Sequence, residues 1–150
     1  MLVTYPAIFY YDPSEKVKYF VHFPDFKNSA TQGNDINDAM AMAADWLGIM
    51  VADSLENGRD LPTVSFINDL SLDGNNPFKD DPEMDLNYDP KKSFMSMVTV
   101  DLSDYLNANK TIKKTLTIPS WADKLGRKMK INFSETLTNA IAEQSNKQKS

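Results

Sequence analysis

The sequence contains no cysteine and only one histidine, His22, among its 150 residues. Without cysteine the chain has no disulfide, no thiolate nucleophile and no cysteine-based metal site. A single histidine without a second histidine or a cysteine nearby is a poor candidate for metal binding or acid–base catalysis. We therefore interpret His22 as a surface residue of a strand.

Targeting and cofactor signals are also lacking. The first residues, Met1–Tyr5, have neither the basic region nor the apolar core of a signal peptide. No apolar run approaches the roughly 20 residues of a membrane span. Glycine-rich phosphate loops, nucleophile elbows and metal-binding helix motifs are absent as well. We expect a cytoplasmic protein with no cofactor, no metal and no membrane contact.

Charge is divided unequally along the chain. Residues 1–110 contain 18 acidic and 8 basic side chains, whereas residues 111–150 contain 3 acidic and 8 basic ones. Clustered Lys and Arg on a small unit is typical of phosphate binding, which indicates nucleic acid as a partner of the second part. The acidic first part suits a partner that is itself basic. The sequence thus predicts two binding functions.

Composition and the positions of turn-forming residues predict two domains. Hydrophobic residues make up 41% of the chain, enough for a folded core. We expect a first domain at 1–106, a linker at 107–111, a second domain at 112–145 and a disordered tail at 146–150.

The first domain is predicted to be α+β with the order β-β-β-α-β. Alternating apolar residues predict strands over 2–11, 17–23, about 29–32 and 93–102. The helix is predicted over 35–57, with an N-cap at Asn34 or Asp35 and an end at Asn57-Gly58. Residues 61–93 form a long irregular connection, in which 63–67 could be a short strand.

One face of that helix is predicted to pack on the core. The apolar spacing that indicates this face comprises Ile36, Met40, Ala43, Leu47 and Met50. We also assign Trp46 and Met42 to core packing rather than to a cofactor site.

The second domain is predicted to be β-α-α. The strand covers 112–118, ends at Pro119 and is followed by a helix from Ser120. The Asn-x-x-Glu spacing of Asn132 and Glu135 resembles a capping box and predicts a second helix. Leu116 and Ile118 lie on one side of the strand, whereas Lys113, Thr115 and Thr117 lie on the other.

This unit is too small to bury its own apolar face, so we expect a homodimer in which two copies of the strand pair antiparallel. The paired strands would form a polar ribbon that fits the major groove of DNA, unless the polar row is only a solvated edge. Helix N-termini bind phosphate. The predicted base contacts are Lys113, Thr115 and Thr117, and the predicted phosphate contacts are Asn132, Ser134, Lys114 and Lys130.

Two sets of motifs resemble the HicB-type antitoxins, which pair with HicA toxins. The C-terminal set is Ile118-Pro119-Ser120-Trp121 followed by residues 131–137. The N-terminal set is Tyr5-Pro6-Ala7, residues 19–26, Thr31-Gln32-Gly33, Asp38-Ala39, Gly58, Leu61 and Pro62. The chain departs from the family pattern at Lys130, where glycine is usual, and at Gly126 within the first C-terminal helix.

The resemblance implies a partial ribonuclease H-like first domain that binds a HicA-like toxin, a small basic mRNA-cleaving ribonuclease. It implies a second domain, ribbon-helix-helix in some members and helix-turn-helix in others, that dimerises and represses the operon. The chain itself is then not an enzyme, and dimers can form higher oligomers. The acidic residues Asp80, Asp81, Glu83 and Asp85 are either a solvated loop or a surface that imitates RNA toward the toxin.

Two alternatives from other classes stay open. The chain could be a metabolite-responsive ribbon-helix-helix repressor with no toxin partner. It could also be an active ribonuclease, since two-metal nucleases need several converging carboxylates. The residues that could supply them are Asp12, Asp25, Asp38, Asp45 and Asp101, although their spacing selects no set.

Overall fold

The computed structural model describes residues 1–84, 86–107 and 110–149. The chain divides into two compact units, Leu2–Leu106 and Asn107–Ser150, which we describe separately. Among the described residues, no helix has the length and apolar character needed to cross a bilayer.

The N-terminal unit is built on a four-stranded antiparallel sheet. Its strands are β1 (Leu2–Tyr11), β2 (Tyr19–His22), β3 (Thr31–Gly33) and β4 (Phe94–Asp101), in the spatial order β3-β2-β1-β4. Strand β1 is central and pairs with β4 along eight residues, from Leu2 opposite Asp101 to Phe9 opposite Phe94. The predicted strands are confirmed, although β2 is shorter than residues 17–23.

Helix α1 (Ile36–Glu56) covers one face of the sheet and confirms the predicted caps. Asp35 is the N-cap, and its carboxylate accepts a hydrogen bond from Asp38 N at 2.8 Å. At the other end Gly58 has a φ of 64°, a left-handed conformation that glycine adopts without strain. Gly58 N donates to Leu55 O and Arg59 N to Ser54 O, which is the pairing of a Schellman motif.

The predicted core face of α1 is partly wrong. The buried positions are Ala39, Ala43, Leu47, Gly48, Val51 and Ala52. Of the predicted stripe, Ile36 is 52% exposed and Met50 is 36% exposed, and Met42, also assigned to core packing, is 40% exposed. Alanine and glycine occupy four of these six positions, and the Tyr105 ring would be 2.6 Å from a Cβ placed on Gly48. Leu47 is fully buried on the same side, so Ile36 and Met50 lie farther out because of their position on the helix rather than their size.

The connection between α1 and β4 (residues 57–93) covers the opposite face of the sheet. Tyr10 Oη donates to Leu72 O at 2.6 Å, and its ring contacts Tyr88 edge-on. The Phe20 ring lies 5.9 Å from that of Phe78. The strand predicted at 63–67 is wrong, because these residues lead into a 3₁₀ turn, Ile67–Asp69. This irregular segment therefore covers the face of the sheet on which no helix packs.

His22 is buried rather than on the surface, which corrects the sequence interpretation. It is 8% exposed, and its Nδ1 lies 3.0 Å from Ser29 O and 2.9 Å from Ser29 Oγ. Burial lowers the pKa of His22, because the charged imidazolium is poorly solvated there. The residue fixes the β2–β3 turn structurally.

The C-terminal unit contains two helices, α2 (Ser120–Lys128) and α3 (Phe133–Lys149). The strand predicted at 112–118 is absent from the single chain, where residues 110–119 have no helix or strand assignment. A strand needs a hydrogen-bonded neighbour, and this chain alone provides none there. Helix α3 includes residues 146–149 of the predicted tail, and Ser150 lies outside the described residues.

Candidate protein-binding and DNA-binding surfaces

Large apolar side chains of the C-terminal unit are exposed to an unusual degree. Those at least 37% exposed are Ile112, Leu116, Ile118, Trp121, Leu125, Met129, Phe133, Leu137 and Ile141. In this unit only Gly126 is buried among the residues whose burial is described. Contiguous exposed apolar surface of this kind marks an interaction site in a folded protein. The single chain therefore lacks the surface that completes this unit.

The turn between α2 and α3 shows how the chain accommodates its two departures from the family pattern. A Cβ on Gly126 would lie 2.6 Å from Phe133 Cζ, so glycine allows α3 to approach α2. Lys130 has a φ of 55°, the left-handed conformation in which glycine is usual. Ile131 N donates to Gly126 O and Lys130 N to Arg127 O, both at 3.1 Å. This is the same Schellman pairing that ends α1.

The start of α3 confirms the predicted cap. Asn132 Oδ1 accepts a hydrogen bond from Glu135 N at 3.1 Å, and Asn132 O accepts one from Thr136 N at 2.9 Å. Ser134 follows within the first turn and is exposed. The α3 N-terminus is therefore formed in the single chain, and whether it contacts phosphate stays a prediction.

The other residues predicted to contact DNA are all exposed. Lys113, Lys114, Thr115 and Thr117 precede α2, in the segment that has no assigned secondary structure. Lys130 lies in the turn after α2 and is exposed as well. The single chain does not bring the predicted base contacts into a ribbon, because a ribbon requires a second copy.

The acidic residues predicted to contact a toxin lie in the connection that covers the sheet. Asp80, Asp81 and Glu83 are exposed, and Asp81 Oδ1 accepts a hydrogen bond from Glu83 N at 2.9 Å. The fourth residue of the set, Asp85, lies outside the described residues. The described members form a solvated surface with one internal turn contact.

The carboxylates considered for a nuclease have separate structural partners. Asp38 contacts Asn34 N, Asp45 accepts from Tyr105 Oη at 2.9 Å, and Asp25 accepts from Ser65 N at 3.0 Å. Asp12 and Asp101 each accept hydrogen bonds from the serine two residues later, which lowers the pKa of both carboxyls. The described part of the chain has no group of three or more His, Asp or Glu side chains that could hold a metal.

A cleft of about 720 Å³ lies at the start of α1. Its lining includes the rings of Tyr11 and Tyr19, 5.0 Å apart, and the side chains of Lys18, Lys91 and Lys92. Lys92 Nζ lies 5.1 Å from the centre of the Tyr11 ring, a cation–π distance. Sequence reasoning missed this cleft, because its residues come from four separate segments.

The comparisons with known proteins agree with one another. A family model described as a HicB-like antitoxin of bacterial toxin–antitoxin systems matches residues 4–71. One chain of a toxin–antitoxin complex from Streptococcus pneumoniae has 60% sequence identity to this chain, with a TM-score of 0.71. That similarity covers 96% of this chain and 99% of the pneumococcal chain. This chain belongs to the HicB-like antitoxin family.

Another HicB structure shares the fold of this antitoxin at lower identity. The crystal structure of HicB from Burkholderia pseudomallei is 23% identical, with a TM-score of 0.53. The match covers 95% of this chain and 98% of the Burkholderia chain. The search of curated proteins gave no match. The α+β fold with a four-stranded sheet is thus the fold of HicB antitoxins.

Proposed function

We propose that this antitoxin binds and inhibits a HicA-like, mRNA-cleaving ribonuclease through its N-terminal unit and represses its own operon through its C-terminal unit. The observation that carries the proposal is the 60% identity, over nearly the whole chain, to a chain found in a toxin–antitoxin complex. We infer that the sheet and α1 correspond to the partial ribonuclease H-like domain of the family, which acts by masking rather than by catalysis.

The exposed apolar residues of the C-terminal unit support a dimer as the DNA-binding form. Leu116 is 54% exposed and Ile118 is 45% exposed in the single chain. Pairing this segment with its counterpart in a second copy would bury both side chains against the helices. Each fully buried Leu or Ile contributes about 1.5–3 kcal/mol.

Such a dimer would form the ribbon-helix-helix DNA-binding unit. The outward side of the ribbon would present Lys113, Thr115 and Thr117 to base edges in the major groove. The α3 N-terminus, with Asn132 and Ser134, would bind phosphate, with help from Lys114 and Lys130.

Co-expression with the toxin gene expected next to this one tests the antitoxin function. The expected toxin is a small basic protein that contains a histidine and is encoded by a neighbouring reading frame. This antitoxin should restore growth and co-purify with that protein. If growth is not restored and no stable complex forms, the proposal is contradicted.

A double substitution, Thr115→Ala with Thr117→Ala, tests the DNA-binding role. Losing two base contacts should weaken operator binding by about 1–3 kcal/mol for each good contact. Toxin binding should be unchanged. Gel-shift titration at a fixed salt concentration measures the first effect, and full operator affinity in this variant contradicts the assigned face.

Neutralising the acidic loop tests its predicted contact with the toxin. The variant changes Asp80, Asp81, Glu83 and Asp85 to Asn or Gln. Opposite charges accelerate association and make it salt-dependent, so the variant should associate more slowly at low salt. An association rate equal to that of the unmodified antitoxin excludes the loop from the interface.

The tyrosine- and lysine-lined cleft favours one alternative, a repressor that responds to a small anionic metabolite. It has a volume of about 720 Å³, is largely open to solvent, and is lined by Asp35 as well as by the three lysines. A metabolite that changes operator affinity in the absence of toxin would support this alternative. The Lys91→Ala and Lys92→Ala variants would then lose that response.

A further inference from the structure

Helix α1 has a second apolar stripe on its outer side. Met42 is 40% exposed, Ile49 is 53% exposed and Met50 is 36% exposed, at the spacing of one helix face. Trp46 lies between them and is half-buried. A helix that covers a sheet normally has a polar outer side, so a helix that is apolar on both sides is typically covered on both.

The charged residues of α1 itself are all acidic. Asp38, Asp45, Asp53 and Glu56 belong to α1, and Ile36–Glu56 contains no Lys or Arg. Asp53 pairs with Arg59 beyond the helix end, and the hydrogen bond from Tyr105 to Asp45 raises the pKa of that tyrosine. The outer side therefore combines an apolar centre with an acidic margin.

Two core phenylalanines hold the Trp46 ring, at the centre of this surface, in place. The Trp46 ring stacks on Phe23 at 5.1 Å and contacts Phe26 edge-on at 5.5 Å. Phe23 is fully buried and Phe26 is 9% exposed, so the indole rests on core residues. A tryptophan fixed in this way loses little side-chain entropy on binding, which is a property of interface anchors.

We propose that the outer face of α1, centred on Met42, Trp46 and Ile49, is the surface that docks the toxin. This inference depends on the proposed antitoxin function and specifies where the partner binds. The acidic margin requires a partner with basic groups around an apolar contact. Such an interface usually has fully desolvated apolar contacts in its centre and charges at its rim.

The same face of a second copy fits this surface poorly. Packing two α1 helices against each other would bring the acidic residues of both copies to one interface, where Arg59 offsets the charge of Asp53 but α1 itself supplies no Lys or Arg. Like charges brought together at an interface oppose binding by several kcal/mol. A cationic protein has the opposite effect, because its charges complement the margin.

The Ile49→Lys variant, measured with the co-expressed toxin, tests the proposal. Burying a lysine in the centre of the interface should weaken toxin binding about 100-fold, the size of a typical hot-spot effect. The matched control is Met97→Lys. Met97 is as exposed as Met42, at 40%, but lies opposite Pro6 on the sheet face away from α1, the face that the connection with the acidic loop covers. This control should bind within about threefold of the unmodified antitoxin. A comparable loss of toxin binding in Met97→Lys would overturn α1 as the docking face.

Three outcomes of this comparison are distinguishable. Unmodified antitoxin that binds no toxin overturns the proposed function itself. Normal binding by Ile49→Lys and also by Met42→Lys overturns only the docking face. Altered sedimentation of Ile49→Lys without toxin identifies the face as a contact between copies and also overturns the proposal. Circular dichroism confirms that each variant is folded, as expected for substitutions at exposed positions.

Discussion

The two units of this antitoxin differ in where their apolar side chains lie. In the N-terminal unit, Tyr5, Phe9, Val21 and Leu47 are at most 2% exposed. In the C-terminal unit the corresponding large side chains, such as Trp121 at 69%, are exposed in the single chain. One unit completes its core within one chain, whereas the other has the apolar face of a core without the layer that covers it. Stability of the second unit should therefore depend on protein concentration.

The ends of α1 and α2 provide a closer comparison between the units. Both helices end in the same Schellman hydrogen-bond pair, but the left-handed position is Gly58 in one and Lys130 in the other. A left-handed conformation costs a residue with a Cβ about 1–2 kcal/mol, a penalty that glycine avoids. The C-terminal unit thus tolerates local strain in addition to its incomplete core.

The largest expected effect concerns the self-contained core. Leu47→Ala should lower the free energy of unfolding of the N-terminal unit by about 2–5 kcal/mol, because Leu47 is fully buried. Urea unfolding measures the change, which should not vary with protein concentration. A loss below about 1 kcal/mol, or one that depends on concentration, would contradict the described packing.

The next effect concerns the incomplete core. Leu116→Ala should barely change the unfolding of the N-terminal unit, because Leu116 belongs to the other unit and is 54% exposed. It should raise the dissociation constant of the dimer about 100-fold, since each dimer loses two buried leucines. Analytical ultracentrifugation measures this constant. An unchanged sedimentation profile would mean that the chains meet elsewhere.

A smaller effect is expected at the two Schellman motifs. Lys130→Gly should stabilise the C-terminal unit by about 1 kcal/mol, because glycine adopts the left-handed conformation freely. Gly58→Lys is the reciprocal change and should destabilise α1 by a similar amount, because lysine would have to adopt the left-handed φ of 64°. No clash adds to this cost, since a Cβ at Gly58 meets no atom within 4 Å. Thermal unfolding of both variants checks the pair, and equal signs would contradict the argument.

The smallest effect is a pH dependence confined to the N-terminal unit. The pKa of His22 is lowered from 6.5 in the folded state, so the unfolded chain binds the proton more readily. Stability should therefore fall as the pH drops below about 6.5 and stay constant above it. His22→Asn, which has no titrating ring, should lose less stability between pH 7.5 and pH 5.5.

The sequence alone determined the order of the elements and their ends. Residue alternation located β1 and β4, and Asp35 and Gly58 defined the limits of α1, because caps and turns depend on local backbone chemistry. The charge division predicted two binding functions, and the two motif sets indicated the HicB family. Sequence patterns could predict these features because each depends on residues that are close together in the chain.

Only the tertiary structure decided which faces are covered. The spacing of Ile36 and Met50 resembled that of a core stripe, but the side of α1 that packs on the sheet carries Leu47, Val51 and the alanines, with Gly48 against the Tyr105 ring. His22 is buried where the chain turns back after β2 and brings Ser29 O and Ser29 Oγ against its Nδ1, a contact with no periodic signal. Burial depends on contacts between distant segments, and local sequence does not specify those contacts.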